Sequence, residues 1–422
     1  MALLLSYYPS TRYYYLVHSF FLQFVAGALF FILKRSLCFM AYSKKYFPVL
    51  FCLWAAVIVG CRSRENPAMN CAMAVHSDLT YIVSDSFTIH LPQGYKEGFY
   101  TAPLARYTYT DREYMYIMDD EHRTILKYDI RKDSMCELIG LPKIPGTLID
   151  FHIDEPDLLL LATSAPSYLY RIRLSDPKHI EQLLVGKNKS ELFNSYPFLG
   201  DHLRTIIESP DTFIVANISL KAYRDAEMYA RMNIRTGELV ANFFHYPETD
   251  KEFFPLLVLP SKEDVDTLTF MAQGYDHFVN IYNNRTGEHL GCHCLRSKYI
   301  AEERIRGLSP EPEPEFQEMN VFMISNAWYY GLVYDPYRNM FLRTVKHTQP
   351  LKEENGKLKQ RYDGPWSIIA ANTDLSVKGE VLMPAGTYKP YVFIPVKDGI
   401  ALSLNKGEGK ATLNFHIIQI KP

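Results

Sequence analysis

The densest set of side chains able to do chemistry is His289, Cys292, His293 and Cys294. Imidazole and thiolate at such short range could hold zinc or copper, but alternation along a strand turns Cys292 and Cys294 to one face and His293 to the other. No second cluster at finger-like spacing completes four ligands, so small thiols on a strand is the reading and no metal is expected. Asp119, Asp120, Glu121 and His122, and Asp150 with Asp154 and Glu155, could pair carboxylates for calcium or for acid/base work. Hairpin turns recruit Asp for their own hydrogen bonds, which explains these acids without a ligand. There is no nucleophile elbow, no phosphate loop and no dinucleotide fingerprint. Asn188-Lys-Ser190, Asn217-Ile-Ser219 and Asn284-Arg-Thr286 match the glycosylation acceptor pattern, which carries little weight alone.

Aromatic and basic loop residues remain as contacts for a ligand: Tyr196, Arg224, Tyr275, Trp328, Tyr337 and Trp366. Flat rings beside cations suit a sugar face, a peptide or a protein surface. The chain counts 45 basic and 47 acidic residues, a formal net charge of -2, so nothing favours nucleic acid. Seven cysteines are too few for a disulfide scaffold of this size, and Cys71, Cys136, Cys292 and Cys294 show no paired spacing that fixes a bridge. Cys292 and Cys294 are themselves too close for an easy one.

The N-terminal region reads as delivery. An apolar run over residues 15–33 ends at Lys34-Arg35 and is followed by Met40, Lys44-Lys45, an apolar segment and Gly60-Cys61. The second part is a positive n-region, a short h-region and a small-residue site, the layout of a secretory signal. Two export segments in succession conflict, so Met40 is expected as the true start, with residues 1–39 an upstream extension or a membrane segment. Ile58-Val59-Gly60-Cys61 resembles a lipobox, in which the cysteine is acylated and becomes the first mature residue. Arg62 follows in place of an acidic residue, which points to an outer-membrane lipoprotein. Residues 61–78 read as a tether and residues 79–422 as the folded domain.

What must position any site is a series of short runs rich in Val, Ile, Tyr and Phe, bounded by Gly, Pro, Asn or Asp. Runs at 113–119, 124–130 and 135–138 form one unit; 158–162, 168–174 and 180–185 the next; 212–216, 228–234 and 239–244 a third; 267–271 and 278–282 a fourth. A fifth combines 321–324, 329–334 and 340–345, and a last one 366–370, 377–383, 391–394 and 400–404. Arg-Thr-Gly-Glu occurs at 235–238 and again at 285–288, each a turn after a strand, with Gly supplying the positive φ of a tight hairpin. The polar turns recur every roughly 36 to 61 residues, the spacing of propeller blades. The fold class expected is all-β, a β-propeller of six four-stranded blades, with seven as the alternative count. An open ring leaves sheet edges exposed, so the N-terminal runs 80–83 and 87–91 are expected to complete a blade with the C-terminal run 413–420. Ser309-Pro-Glu-Pro-Glu-Pro-Glu315 and residues 352–359 read as exposed excursions.

The lipobox together with the Tyr/Phe-rich strand and turn-Gly-Glu units resembles the uncharacterised Bacteroides-type lipoproteins of domain-of-unknown-function families, with a six-bladed propeller of the NHL or TolB-like kind. That resemblance covers residues 79–420 and implies fold and compartment; it brings no catalytic residue. The function expected is a lipid-anchored, monomeric envelope module that binds a glycan, peptide or protein partner without a cofactor. The alternatives are a propeller hydrolase or lyase acting on glycans or lactones with a central metal, and a part in envelope assembly.

Overall fold

Alternating β-branched and aromatic residues dictate strands here because each run can bury one face of a pleat. The computed structural model describes residues 71, 76–95, 104–109, 112–119, 121–132, 134–155, 157–164, 168–183, 204–208, 211–217, 227–233, 239–245, 261–301, 308, 315–405 and 412–422. All belong to the unit Cys71–Pro422. Residues 1–70 with Cys61, the residues Tyr196 and Arg224, the first Arg-Thr-Gly-Glu turn and the 309–314 run lie outside the described residues.

Strand β1 (Asp78–His90) comes first. Four four-stranded antiparallel sheets follow in chain order. They are β2 (Leu104–Tyr109), β3 (Arg112–Asp119), β4 (Thr124–Asp129) and β5 (Ser134–Gly140); then β6 (Thr147–Glu155), β7 (Leu158–Ser164), β8 (Tyr168–Arg173) and β9 (Asp176–Leu183). Next come β10 (Arg204–Glu208), β11 (Asp211–Asn217), β12 (Glu227–Asn233) and β13 (Leu239–His245); then β14 (Ser261–Val265), β15 (Leu268–Ala272), β16 (Phe278–Asn283) and β17 (His289–Cys294). Helix α1 (Phe316–Ser325) leads into β18 (Trp328–Asp335), β19 (Met340–Lys346), β20 (Trp366–Asn372), β21 (Val377–Met383), β22 (Tyr388–Val396), β23 (Gly399–Leu404) and β24 (Thr412–Lys421). These seven strands and β1 make an eight-stranded sheet in the order β18-β19-β20-β21-β1-β24-β23-β22. The first strands of successive sheets lie side by side, β2 with β6, β6 with β10, β14 with β18 and β18 with β22.

The eight-stranded sheet is two antiparallel halves. They meet where β1 runs parallel to β21 through Asp78↔Glu380 and Leu79↔Val381. From Thr80↔Lys421 to His90↔Thr412 the same strand pairs antiparallel with β24, with an irregularity between Val83 and Asp85. The pairing expected between the two ends of the domain is therefore present. Most expected runs coincide with strands to within a residue or two. Val321 to Ile324, read as a strand, is instead the second half of α1: four apolar residues cannot distinguish the two periods, and the Gln, Glu and Met around them favour helix. Residues 366–404 do not form one unit either, since β20 and β21 complete the sheet half begun by β18 and β19, while β22 and β23 belong with β24 and β1. The first strand of each four-stranded sheet escaped the sequence reading because some are polar; β14 is Ser-Lys-Glu-Asp-Val, whose Lys262 pairs with Asp264 while Thr269 donates to the same carboxylate.

The turn at 285–288 behaves as its sequence implies. Gly287 has φ 71°, and Asn283 Oδ1 accepts from the backbone of Arg285 and Thr286. The core lies between sheets. Phe87 stacks on its cross-strand partner Phe415 at 4.8 Å between ring centres and on Tyr128 of β4 at 5.9 Å, which fastens β1 and β24 to the sheet that begins with β2. Ile89 is fully buried in that cluster, whereas Ile82 on the same strand is 50% exposed. Ile89→Ala is expected to cost about 2–5 kcal/mol in urea unfolding, and Ile82→Ala no more than about 0.5 kcal/mol. Equal losses at both positions would contradict this packing.

Candidate functional site

Strand β18 starts at Trp328-Tyr329-Tyr330, where its pairing is irregular between Tyr329 and Gly331; Tyr330 packs on one face, Tyr329 on the other, and Trp328 touches the apolar clusters of both. On the first face Trp328 lies 4.5 Å from Tyr330 between ring centres, Tyr330 lies 6.2 Å from Tyr391 of β22, and Tyr391 lies 4.7 Å from Tyr362. Tyr362 belongs to the excursion between β19 and β20, where Arg361 sets its guanidinium 5.4 Å from the Tyr362 ring. The Tyr330 hydroxyl donates to the Arg361 carbonyl at 3.3 Å, and burial pushes its pKa well up, so it remains a donor. Three of the four rings are nearly buried, and Trp328 alone is partly exposed. Its indole N–H has no hydrogen-bond partner among the described residues. An aromatic ledge thus forms where two first strands and a loop converge, with one partly exposed ring whose indole N–H is buried.

The opposite face is held rigidly. The Arg343 guanidinium, wholly buried on β19, lies 3.5 Å from the Tyr329 ring centre. It donates to the carbonyls of His277 at 2.9 Å, Leu295 at 3.1 Å, Gln273 at 2.9 Å and Asp276. A buried cation this well supplied is stabilised by carbonyl dipoles and ring quadrupole in place of water. Tyr329 Oη accepts from the backbone N–H of Ser297 at 3.1 Å and shares a hydrogen bond with His277 Nδ1 at 2.6 Å. The Tyr329 N–H donates to the Gly274 carbonyl at 2.6 Å. Lys346 closes the end of α1, its ammonium donating to the carbonyls of Ile324 and Asn326, each at 2.7 Å, and of His347 at 3.1 Å. Burial brings its pKa down to about 7.

Next to it, His347 Nε2 donates at 2.8 Å to Ser367 Oγ, whose own proton goes to Glu380. Glu380 also accepts from Ser297 Oγ at 2.6 Å and from the backbone of Lys298 at 2.9 Å. Every member of this network is buried away from open surface, so it pins the 295–301 loop against β20 and β21 and is not a catalytic constellation.

The residues singled out in the sequence separate cleanly. Trp328 is in the ledge. Tyr275 and Trp366, read as loop contacts, are packed interior residues 2% and 1% exposed, and Trp366 opens β20, so neither ring presents a surface to a ligand. Tyr337 sits on the turn between β18 and β19 and donates its hydroxyl to the buried Glu113 of β3. Glu113 also accepts from the backbone of Lys397 at 3.0 Å, so this tyrosine clamps three strand turns together. The possible metal ligands scatter: Cys294 is bonded to Cys71, a bridge that cysteine spacing did not reveal, and burial pushes the Cys292 thiol up to about 11. His289 bonds Asn280 at 3.1 Å. Asp119 accepts from the His122 backbone at 2.9 Å, the turn role expected of it. Among the described residues no three His, Cys, Asp or Glu side chains converge on a metal position. Tyr330, Tyr362, Tyr391 and Arg361 were missed; the Trp-x-Tyr alternation at 328–330 was the available signal.

Repeated four-stranded antiparallel sheets with neighbouring first strands define a nearly all-β, propeller-like protein. No family model matches the sequence, and no curated protein does. Among solved structures the chain is similar to a member of the DUF4221 family from Bacteroides vulgatus, with 15% identity, 81% of this chain and 98% of that chain covered, and a TM-score of 0.67. It is also aligned with a protein from Bacteroides fragilis named as exported (11% identity, 83% and 98% covered, TM-score 0.46). A third is virginiamycin B lyase from Staphylococcus aureus (8% identity, 80% and 99% covered, TM-score 0.40). The first shows a shared fold and says nothing of chemistry; the other two are too distant to carry an argument.

The network at His347 has a measurable consequence. Burial, and then the Lys346 charge, depress its pKa to about 4 from the usual 6.5. The unfolded imidazole takes a proton below about 6.5 that the folded one refuses until about 4, so the native state is fully favoured above 6.5 and loses stability as pH falls between them, at ~1.4 kcal/mol per pH unit. Denaturant unfolding at pH 7 and pH 5 should show a loss of about 2 kcal/mol that His347→Gln abolishes. An unchanged slope in that variant would contradict the assignment.

Proposed function

We propose that the chain is a lipid-anchored binding module of the cell envelope, a six-bladed β-propeller whose ledge at Trp328 takes a glycan. The count of six is supported by the short parallel seam, which divides the eight-stranded sheet into two four-stranded halves beside the four separate sheets. Closure of the ring then falls to β1 on β24. The Cys71–Cys294 disulfide supports export, because such bonds persist in oxidising compartments. Acylation at Cys61 supplies the anchor, and with Cys71 fastened to β17 the tether runs over residues 61–70. Among the described residues no helix is long and apolar enough to cross a membrane.

The observation that carries the glycan reading is the partly exposed ring of Trp328, backed by Tyr330, Tyr391 and Tyr362. A pyranose offers an apolar face of C–H groups to such a ring. Trp328→Ala is expected to weaken binding of short hexose oligosaccharides in titration calorimetry by about 30-fold or more, as for a buried aromatic anchor, while Trp328→Phe retains part of it. Wild-type affinity in Trp328→Ala would sink the reading. Separately, Cys61→Ser should abolish incorporation of labelled fatty acid and release the protein from membranes; a variant still labelled would rule out the anchor.

A further inference from the structure

The residues just ahead of β1 touch two sheets before β1 enters a third pairing. Cys71 is bonded to Cys294 at the end of β17, and its carbonyl accepts from Arg296 Nη1 at 3.1 Å. The other arms of Arg296 hold the carbonyls of Ile300 at 3.2 Å and Ala301 at 2.5 Å, so the loop after β17 is shaped around this attachment. His76 lies with its ring 3.6 Å from Glu380 Oε2, both side chains out of solvent, and the Ser77 carbonyl accepts from the Glu380 N–H at 3.0 Å. Asp78 takes the Lys298 ammonium and, with Leu79, pairs along β21. Gly379 leaves room for the passage: a Cβ there would stand 2.6 Å from both the Ser77 carbonyl oxygen and Leu79 Cγ. From Thr80 the chain belongs to β24.

We propose that Cys71 and residues 76–79 form a strap that oxidation closes, locking the two halves of the eight-stranded sheet only after the chain reaches an oxidising compartment. The seam it guards is weak by itself, since β1 and β21 share two residue pairs. The disulfide joins positions 223 residues apart, and a crosslink of that span removes much freedom from the opened chain. In the closing step the Cys71 and Cys294 thiols give up two protons and two electrons to a disulfide-bearing oxidant, forming one S–S bond while the oxidant's S–S bond is cleaved to two thiols. Before that step β21 and β1 hold a short, easily parted edge, the kind of surface that recruits other strands. The strap stands on this connectivity alone and is independent of the ledge, its ligand and the lipid anchor.

The full chain, oxidised and after treatment with dithiothreitol, distinguishes the outcomes by hydrogen exchange. Reduction should speed amide exchange over residues 77–83 and 377–383 by about tenfold or more, leave β6 to β9 unchanged, and lower Tm by about 5 °C. Cys71→Ser and Cys294→Ser should match the reduced protein with or without reductant, and Cys292→Ser should match the wild type. Gly379→Val, with the disulfide intact, should speed the same two segments by crowding Ser77 and Leu79. Unchanged exchange there on reduction would overturn the proposal, as would a uniform rise through every sheet, which would make the bridge a general staple. Peptide mapping that joined Cys71 to Cys292 would overturn it too.

Discussion

Strand β1 divides its hydrogen bonds between two partners, giving its first residues to β21 in parallel and the rest to β24 in antiparallel. A sheet edge left unpaired is a run of unsatisfied N–H and C=O groups, and β21 and β24 would each present one without it. The strand is placed by side chains as well as by ladder bonds: Phe87 and Ile89 turn into the cluster containing Phe415 and Tyr128, and Ile82 and Val83 stay outside. Its inner half is fixed by burial and its outer half by pairing, so the same segment serves both the core and the seam.

Apolar packing between sheets is tolerant of small shifts, and what sets their relative position here is a group of buried charges satisfied mainly by main chain. Arg343 collects four carbonyls from the loop after β15 and the end of β17; Lys346 collects three around the end of α1; Glu380 gathers two hydroxyls and a backbone N–H. Each is long enough to reach out of its own sheet or to receive donors from another element. Removing one partner would strand the other, which makes these contacts unforgiving of a shift in a way that methyl groups are not.

The strands that were legible in the sequence are those whose two faces are both apolar or alternate strongly, such as Val377–Met383, found at its observed bounds. The first strands of the four-stranded sheets were not, since Ser261–Val265 satisfies its charges by pairing Lys262 with Asp264, a solution no periodicity announces. Helix α1 was hidden for the opposite reason: its apolar stretch is too short to show a period of its own. The disulfide was hidden by distance along the chain, because Cys71 and Cys294 meet only once β1 has been laid against β21. Of the ledge, Trp328 was legible as an aromatic near a turn, while Tyr362 and Tyr391 come from other elements and join it only through the fold.

Trp328 and Tyr329 are adjacent in sequence and opposite in role, and the second explains why the first can serve as a platform. Tyr329 is pinned by the Arg343 cation on its ring, by His277 and Ser297 at its hydroxyl and by Gly274 at its N–H. A strand held at four points cannot roll, so the neighbouring Trp328 ring keeps its orientation. A recognition surface gains from such rigidity because little freedom remains to be lost when a ligand settles. The buried polar side of β18 and its aromatic side are therefore one device, and the charge at Arg343 reaches the ledge through the backbone of a single residue.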